Sequence, residues 1–146
     1  MIVRNPEAVR PWQHALEPLA GYLVLAQGLY ADARRYAGAW NFGPLDADTV
    51  SVATLVELVI RAHGSGAWKR APAEAGAAPP HEAGILRLDC SKADTHVHWR
   101  PRLTLAEATT LAVDWYRAAR TRPAPSMYDV SVDQIRAYEA RWAPGR

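Results

Sequence analysis

The segment "VRPWQHALEPLAGYLVLAQ" at residues 9–27 decides the fold, because it joins a polar opening to a long apolar run. From Leu16 onward, apolar residues recur at the spacing of one helix face, which predicts a helix. Ahead of that helix stand Arg10, Gln13 and His14. Such a helix entrance serves either for packing or for holding a phosphorylated ligand.

Three further segments are predicted to be helical. "VSVATLVELVIRAHG" at 50–64 repeats the helical spacing, with Ser51 as the N-cap and Gly64 as the stop. Two later segments carry capping boxes, in which a side chain and a backbone N–H three residues apart satisfy each other. These boxes pair Thr104 with Glu107 and Ser131 with Gln134.

Strands are predicted to be few and short. One strand is predicted at 39–42, which Gly43 and Pro44 close, and another at 85–90, which places Leu86, Leu88 and Cys90 on one side; residues 1–4 are a third candidate. The small-residue and proline-rich stretch 70–80 reads as an irregular connection. The fold class that follows is α+β, rich in helix and poor in strand, and so small a sheet seldom forms an independent core.

The composition indicates one globular domain. The 146 residues are 49% hydrophobic and 22% charged, with a formal net charge of +2. This balance argues against a dedicated nucleic-acid binder. Neither a signal peptide nor a stretch of about 18 continuous apolar residues is present, so we expect a soluble cytoplasmic protein without a membrane anchor. Six tryptophans and six tyrosines must either pack internally or face a partner.

Residues typical of catalytic and metal sites have simpler explanations here. The single Cys90 reads as a small buried hydrophobe rather than as a nucleophile. His96 and His98 could begin a metal site with Asp94, but such a site needs further ligands from elsewhere. We therefore expect surface histidines in a short loop, and we predict neither a catalytic nor a metal-binding residue.

A dinucleotide site is not expected in this chain alone. The nearest glycine-rich string, "GSGAWK" at 64–69, follows a helix, whereas the cofactor turn precedes one. The catalytic pair of short-chain dehydrogenases, a tyrosine followed four residues later by lysine, does not occur, since Lys69 and Lys92 are the only lysines. NAD is therefore not expected to bind these residues by themselves.

Three polar clusters remain as candidates for binding a ligand. An arginine fork suits phosphate, and an asparagine amide can read the edge of a base or sugar. Each cluster also has a purely structural alternative: Arg10 as a solvated side chain, Asn41 as a turn former and His81 as a strand cap. The clusters are Arg10 with Gln13 and His14, then Asn41, then His81 with Glu82.

Four stretches, in this order, resemble the C-terminal half of the CDP-glucose 4,6-dehydratase family, a branch of the extended short-chain dehydrogenases/reductases. They are "RNPEAVRPWQHALEPLAGYLVLAQGLY" at 4–30, "YAGAWNFGP" at 36–44, "PPHEAGILRLDCSKA" at 79–93 and "WRPRLTLAEATTLAVDWYRA" at 99–118. The resemblance implies a Rossmann-like, NAD(P)-binding parent fold. Residues 1–146 would be its nucleotide-sugar-binding portion, without the N-terminal NAD-binding part.

The same resemblance implies an activity for the intact enzyme. Enzymes of this family use NAD to oxidise CDP-glucose at C4, eliminate water across C5–C6 and return hydride to C6, which gives CDP-4-keto-6-deoxyglucose. Their cofactor turn and their Thr, Tyr and Lys catalytic set lie in the N-terminal half. We therefore expect the chain to bind CDP-glucose, to be inactive alone, and to need a separate cofactor-binding half as partner.

The resemblance also implies a role for each polar cluster. Arg10 matches the arginine that grips the diphosphate or nucleoside, and Asn41 matches a strand-end asparagine near the nucleotide. Gly84 and Ile85 follow Ala83 where the family pattern has His-Tyr. The remaining matches are Gln13 and His14, in the motif of Arg10, and His81 and Glu82, in a substrate-side loop.

Other functions stay open at this point. The chain could be a stand-alone binding or interaction module, or an inert truncated remnant. It could also be part of another NDP-sugar epimerase or dehydratase, a choice that nucleotide preference would decide.

Overall fold

A computed structural model describes residues 1–72, 84–121 and 126–142. It confirms the helix-rich α+β class. Among these residues, no helix has both the length and the apolar character needed to cross a membrane. The strands and helices, in chain order, are β1 (Ile2–Val3), β2 (Val9–Pro11), α1 (Leu16–Ala31), α2 (Ala33–Tyr36), β3 (Thr49–Ser51), α3 (Val52–His63), β4 (Lys69–Arg70), α4 (Ser91–Val97), α5 (Leu105–Thr121) and α6 (Ser126–Glu139).

The strands form two separate two-stranded sheets. β1 pairs with β4 in parallel, and β2 pairs with β3 antiparallel, so that Arg10 lies opposite Val50. Val9 makes one further parallel bridge, to Ile85. Two-stranded sheets this short cannot form a core of their own, so the helices must supply it.

Two of the predicted strands are wrong. Residues 39–42 form no strand, and residues 85–90 make only the bridge at Ile85. Their hydrogen bonds go elsewhere: the Asn41 amide donates to the Asp89 carbonyl, and the Gly43 N–H donates to the Cys90 sulfur. Short apolar runs carry too little periodicity to distinguish a strand from an irregular segment that is packed against the core. The candidate strand at residues 1–4 is confirmed in its centre, as β1.

Helix α3 is the element that the sequence predicts best. Ser51 caps it through its side-chain oxygen, which accepts a hydrogen bond from the Thr54 N–H. Gly64 ends it in the left-handed region at φ 87°, a conformation that favours glycine. Both signals are local, which explains why a single sequence reveals them.

The two predicted capping boxes have different outcomes. The Thr104 box is confirmed, because the Thr104 N–H donates to the Glu107 carboxylate and the Glu107 N–H donates to the Thr104 hydroxyl. The Ser131 box is wrong, because α6 begins at Ser126. Ser131 lies inside that helix, where its hydroxyl donates to the Met127 carbonyl and accepts from the Trp115 indole. A serine inside a helix can satisfy its hydroxyl on the preceding turn, so the motif alone does not mark a start.

The segment with the paired histidines also differs from expectation. Ser91–Val97 is helical, as α4, so His96 lies on a helix and not in a loop. His98 ends that helix with φ 52°. Both histidines are exposed, as expected.

Two apolar clusters hold the helices together. One contains Phe42, Ala93 and Trp99, and the other contains Leu103, Ala108 and Tyr138. Trp142 packs against both clusters and so joins them. All six tryptophans are buried or half-buried, so the aromatic side chains that are exposed to solvent are tyrosines. Those exposed tyrosines are Tyr22, Tyr30, Tyr116 and Tyr128.

Candidate functional site

The polar segment between β2 and α1 is held on one side by the neighbouring strand. β2 pairs with β3, and the Trp12 indole N–H donates to the Val50 carbonyl at 3.1 Å. The proline at position 11 has no N–H, which suits the end of this short strand. Residues 12–15 then turn into α1, and the side chains of Trp12 and Gln13 tie this turn to Val50 and Phe42.

Gln13 is held in one orientation by a backbone carbonyl. Its Nε2 donates to the Phe42 oxygen at 2.8 Å. Exchanging the amide O and N would set two acceptors against each other, so this bond fixes the assignment. The Gln13 Oε1 atom is buried and has no partner among the described residues.

His14 is half-buried and bound on one ring nitrogen. Its Nδ1 accepts from the Leu16 N–H at 3.2 Å, which requires the neutral ring to carry its proton on Nε2. Burial lowers the pKa of His14 below its usual value, while the nearby Glu17 carboxylate opposes that shift. The ring is therefore presented as a neutral Nε2–H donor.

The lowered pKa of His14 predicts how stability depends on pH. The unfolded chain binds the proton at His14 more readily than the folded chain does, so stability falls once the pH drops below about 6.5, the unperturbed value. The loss continues until the pH passes the lowered, folded-state pKa. Urea unfolding of the wild type and His14→Gln between pH 7.5 and 5 would measure it, since glutamine still offers Leu16 an acceptor. Parallel pH curves for the two proteins would contradict the assignment.

A cavity of about 600 Å³ opens beside Gln13 and His14. Its wall is largely apolar and comes from residues 12–16 together with helices α3, α5 and α6. A volume of this size suits a small organic ligand. Neither Arg10 nor Asn41 lines it. The other lining residues are Trp12, Ala15, Leu16, Leu55, Val59, Leu105, Ala108, Thr109, Ala112, Val113, Trp115, Tyr116, Ser131, Gln134 and Ile135.

Arg10 lies on β2, outside the cavity and half-buried. Its Nη1 donates to the Val9 carbonyl at 2.8 Å. The neighbouring Val9 N–H donates to the Gly84 carbonyl, and the Val9 carbonyl accepts from the Leu86 N–H. Arg10 is thus beside the segment that directly follows the third polar cluster in sequence. That cluster, His81 with Glu82, lies outside the described residues.

Asn41 is exposed, and its amide is used within the chain. The Nδ2 atom donates to the Asp89 carbonyl at 3.1 Å. The next residue, Phe42, accepts the Gln13 bond, so Asn41 and Gln13 lie on segments that are bonded together. The structure therefore places the predicted residues in two settings: Gln13 and His14 at the cavity, and Arg10 and Asn41 outside it. Their roles toward a ligand stay a prediction.

The residues considered for other chemistry have structural partners. Burial raises the pKa of the Cys90 thiol, which is only half-exposed and accepts from the Gly43 N–H. The Asp94 carboxylate is bound twice by the Arg100 guanidinium, at 2.6 and 2.7 Å. Within residues 1–72, 84–121 and 126–142, no three His, Cys, Asp or Glu side chains are grouped to hold a metal.

The described residues do not fit a dinucleotide cofactor. Such a site needs a glycine-rich turn that leads from a strand into a helix, where the N–H groups face a pyrophosphate. Here Gly64 and Gly66, with φ of 87° and 133°, follow helix α3 and lead into β4. The one parallel strand pair among the described residues, β1 with β4, joins only two residues of each strand, and the glycines come before β4 and not between a strand and a helix.

The sequence reasoning missed two features of this region. The cavity residues on α3, α5 and α6 follow helical spacing, so their pattern indicates core and not a cavity wall. Glu17 is 1% exposed and binds three donors, yet a glutamate in the first turn of a helix reads as a solvated side chain. No local signal separates these cases, because burial depends on residues far away in the chain.

No family model matches this chain. CDP-glucose 4,6-dehydratase of Salmonella typhimurium (strain LT2) is 44% identical to it over 119 residues, which is 81% of this chain. The match covers 32% of the Salmonella enzyme, so the chain spans about a third of the length of the curated relative. The resemblance seen in the motifs is thereby confirmed as similarity to part of that enzyme.

Proposed function

We propose, on the premise of this similarity, that the chain is the substrate-binding part of a CDP-glucose 4,6-dehydratase-like enzyme. The 44% identity to the Salmonella enzyme is the observation that carries the proposal. The name of that enzyme gives both the ligand, CDP-glucose, and the reaction, removal of water. The proposed ligand of this chain is accordingly a nucleotide sugar with a cytidine diphosphate group.

Strand β2 and the segment that joins it to α1 would hold that ligand. Arg10 would bind the diphosphate, because a planar guanidinium pairs with phosphate oxygens through two parallel hydrogen bonds. The bond from Nη1 to the Val9 carbonyl anchors its guanidinium beside the strand. His14 would donate its Nε2–H to the ligand, while Gln13 keeps the segment fixed through Phe42. Asn41, His81 and Glu82 would complete the contacts from the adjoining segments.

The redox chemistry of the proposed enzyme would come from residues outside these 146. NAD, when bound, would accept and return hydride. The chain has no tyrosine followed four residues later by a lysine, and its described residues do not fit the cofactor. Its own contribution would be to bind and orient the sugar nucleotide, so the chain alone should not turn over CDP-glucose in the presence of NAD.

Ligand titration followed by NMR tests the proposal. The six tryptophan indole N–H signals serve as probes, and Trp12 is the residue next to Gln13 in sequence. We expect CDP-glucose to shift the Trp12 signal with a dissociation constant in the millimolar range, about 4 kcal/mol of binding free energy. CDP should act similarly, whereas UDP-, GDP- and dTDP-glucose should bind more weakly. Equal binding of all four would favour another NDP-sugar enzyme, and no shift with any would refute the proposal.

Replacing Arg10 by alanine should weaken CDP-glucose binding about tenfold, or about 1.4 kcal/mol, because a charge-assisted bond to the diphosphate is lost. Arg34→Ala, which removes an exposed arginine from α2, is the matched control and should bind as the wild type does. The same titration measures both. An unchanged dissociation constant for Arg10→Ala would remove this residue from the proposed site.

A stand-alone interaction module is the second candidate. The observation that favours it is helix α1, which exposes large apolar side chains, among them Leu23 at 69% and Tyr30 at 97%. A module of that kind would associate with a protein partner without binding CDP-glucose. The titration above therefore separates the two candidates.

A further inference from the structure

One face of α1 is apolar and largely exposed. It consists of Leu19, Tyr22, Leu23, Ala26 and Tyr30, spaced as one helix stripe, and is called the α1 face below. The four large side chains are 50%, 57%, 69% and 97% exposed, in chain order. Contiguous exposed apolar patches of this kind mark interaction surfaces, whereas scattered single residues do not.

The charge pattern of the helices separates this face from an ordinary solvent face. Glu17 is the only charged residue of α1, and it is buried. The other long helices expose charged residues between their apolar ones, for example Asp114 and Arg120 on α5 and Asp133 and Arg136 on α6. A helix that is apolar all round belongs in an interior. The described chain covers only one side of it.

The covered side of α1 is rigidly attached. Gly21 lies directly against the Phe42 ring, and Glu17 binds the backbone N–H groups of Arg102 and Leu103. These contacts fix the helix on the rest of the chain, so the α1 face is presented without needing a conformational change. A rigid surface loses little entropy when a partner covers it.

The area of the face suits contact between parts of one enzyme. Taking roughly 200 Å² for a fully exposed side chain of this size, the four large residues present on the order of 500 Å². With the partner's surface the contact buries about 1,000 Å², within the ~600–1,500 Å² of interfaces between domains. A second copy would bury a similar area, so the part of the relative that lies outside the match decides the choice of occupant.

We infer that the α1 face is the docking surface for the part of a CDP-glucose 4,6-dehydratase that has no counterpart in these 146 residues. The inference rests on the proposed function. The Salmonella relative has about two-thirds of its length outside the match, which covers 32% of it. The partner surface must be largely apolar and uncharged, with polar groups only where they can pair with the Tyr22 and Tyr30 hydroxyls, because the α1 face offers no charge.

Co-expression tests the inference. The chain would be produced with the portion of the Salmonella enzyme outside the match and purified by gel filtration with light scattering. The variant L23K/Y30K places two charges on the α1 face. The control L45K/Y128K makes the same two replacements at side chains that are 53% and 72% exposed elsewhere. All four sites are exposed, so circular dichroism should show every variant folded as the wild type is.

We expect a one-to-one complex for the wild type and the control, and at least tenfold weaker association for L23K/Y30K. Equal association of L23K/Y30K and the control, or no complex with the wild type, would overturn the inference. The inference would also be overturned if the chain alone formed a dimer and L23K/Y30K abolished that dimer, because the α1 face would then belong to contact with a second copy. CDP-glucose titration of L23K/Y30K should match the wild type. If no variant bound CDP-glucose but the wild type and the control still formed the complex, the proposed function would be refuted. The α1 face would then still be a docking surface.

Discussion

Replacing Glu17 by alanine is expected to lower the free energy of unfolding by about 3–5 kcal/mol. The carboxylate accepts three hydrogen bonds: from the Arg102 and Leu103 N–H groups to Oε1, at 2.8 and 2.7 Å, and from the Tyr138 hydroxyl to Oε2, at 2.7 Å. Alanine would leave all three donors unpaired in a site where Glu17 is only 1% exposed. Each lost bond to a charged acceptor costs roughly 1.5–3 kcal/mol, part of which water entering the space would restore.

Urea unfolding at pH 7 measures this loss, with two controls. Glu17→Gln keeps the shape and one oxygen acceptor, and its amide N–H can donate to the Tyr138 oxygen, so we expect a loss of about 1 kcal/mol. Glu57→Ala removes an exposed glutamate from α3 and should change stability by less than about 0.5 kcal/mol. If Glu17→Ala unfolded at the same urea concentration as Glu57→Ala, Glu17 would not hold α1, α6 and the segment before α5 together.

Replacing Gly21 by alanine should cost about 2 kcal/mol or more, although alanine favours helices over glycine by about 1 kcal/mol. A Cβ atom at Gly21 would lie 2.3 Å from Cδ1 and 2.6 Å from Cγ of Phe42. The Phe42 ring cannot move aside, because it is buried and packs edge-on against Trp99 at 5.0 Å between centroids. Overpacking therefore outweighs the gain in helix propensity.

Gly28→Ala is the matched control on the same helix. Its Cβ would meet the half-buried Tyr36 ring at 3.1 Å, a contact that a small shift relieves, so we expect a change within about 1 kcal/mol of zero. Because the Phe42 carbonyl accepts the Gln13 bond, Gly21→Ala should also shift the neighbouring Trp12 indole signal in NMR spectra, and Gly28→Ala should not. A stabilised Gly21→Ala protein would show that α1 does not pack on Phe42 this closely.

The polar entrance to α1 shows how far the sequence reaches into the candidate site. Its residue types and order carry the resemblance that led to CDP-glucose, and this needs no structure. The sequence does not reveal that Gln13 and His14 face a cavity while Arg10 lies on β2 and Asn41 bonds to Asp89. Those placements depend on contacts between segments that are 29 and 48 residues apart.

By itself, the sequence determined the features whose hydrogen bonds are local. Helix α3 begins after Ser51 and ends before Gly64, and the Thr104–Glu107 capping box marks the start of α5. The helix-rich fold class follows from signals of this kind. Each of these bonds closes within three or four residues, so a short window contains both partners.

Only the tertiary structure decided the rest. The pairing of β2 with β3 and the burial of Glu17 both depend on partners that are distant in sequence. Glu17 binds groups 85 to 121 residues away. The packing of three segments around this position decides whether the carboxylate is solvated or buried. The sequence pattern of α1 alone does not indicate that packing.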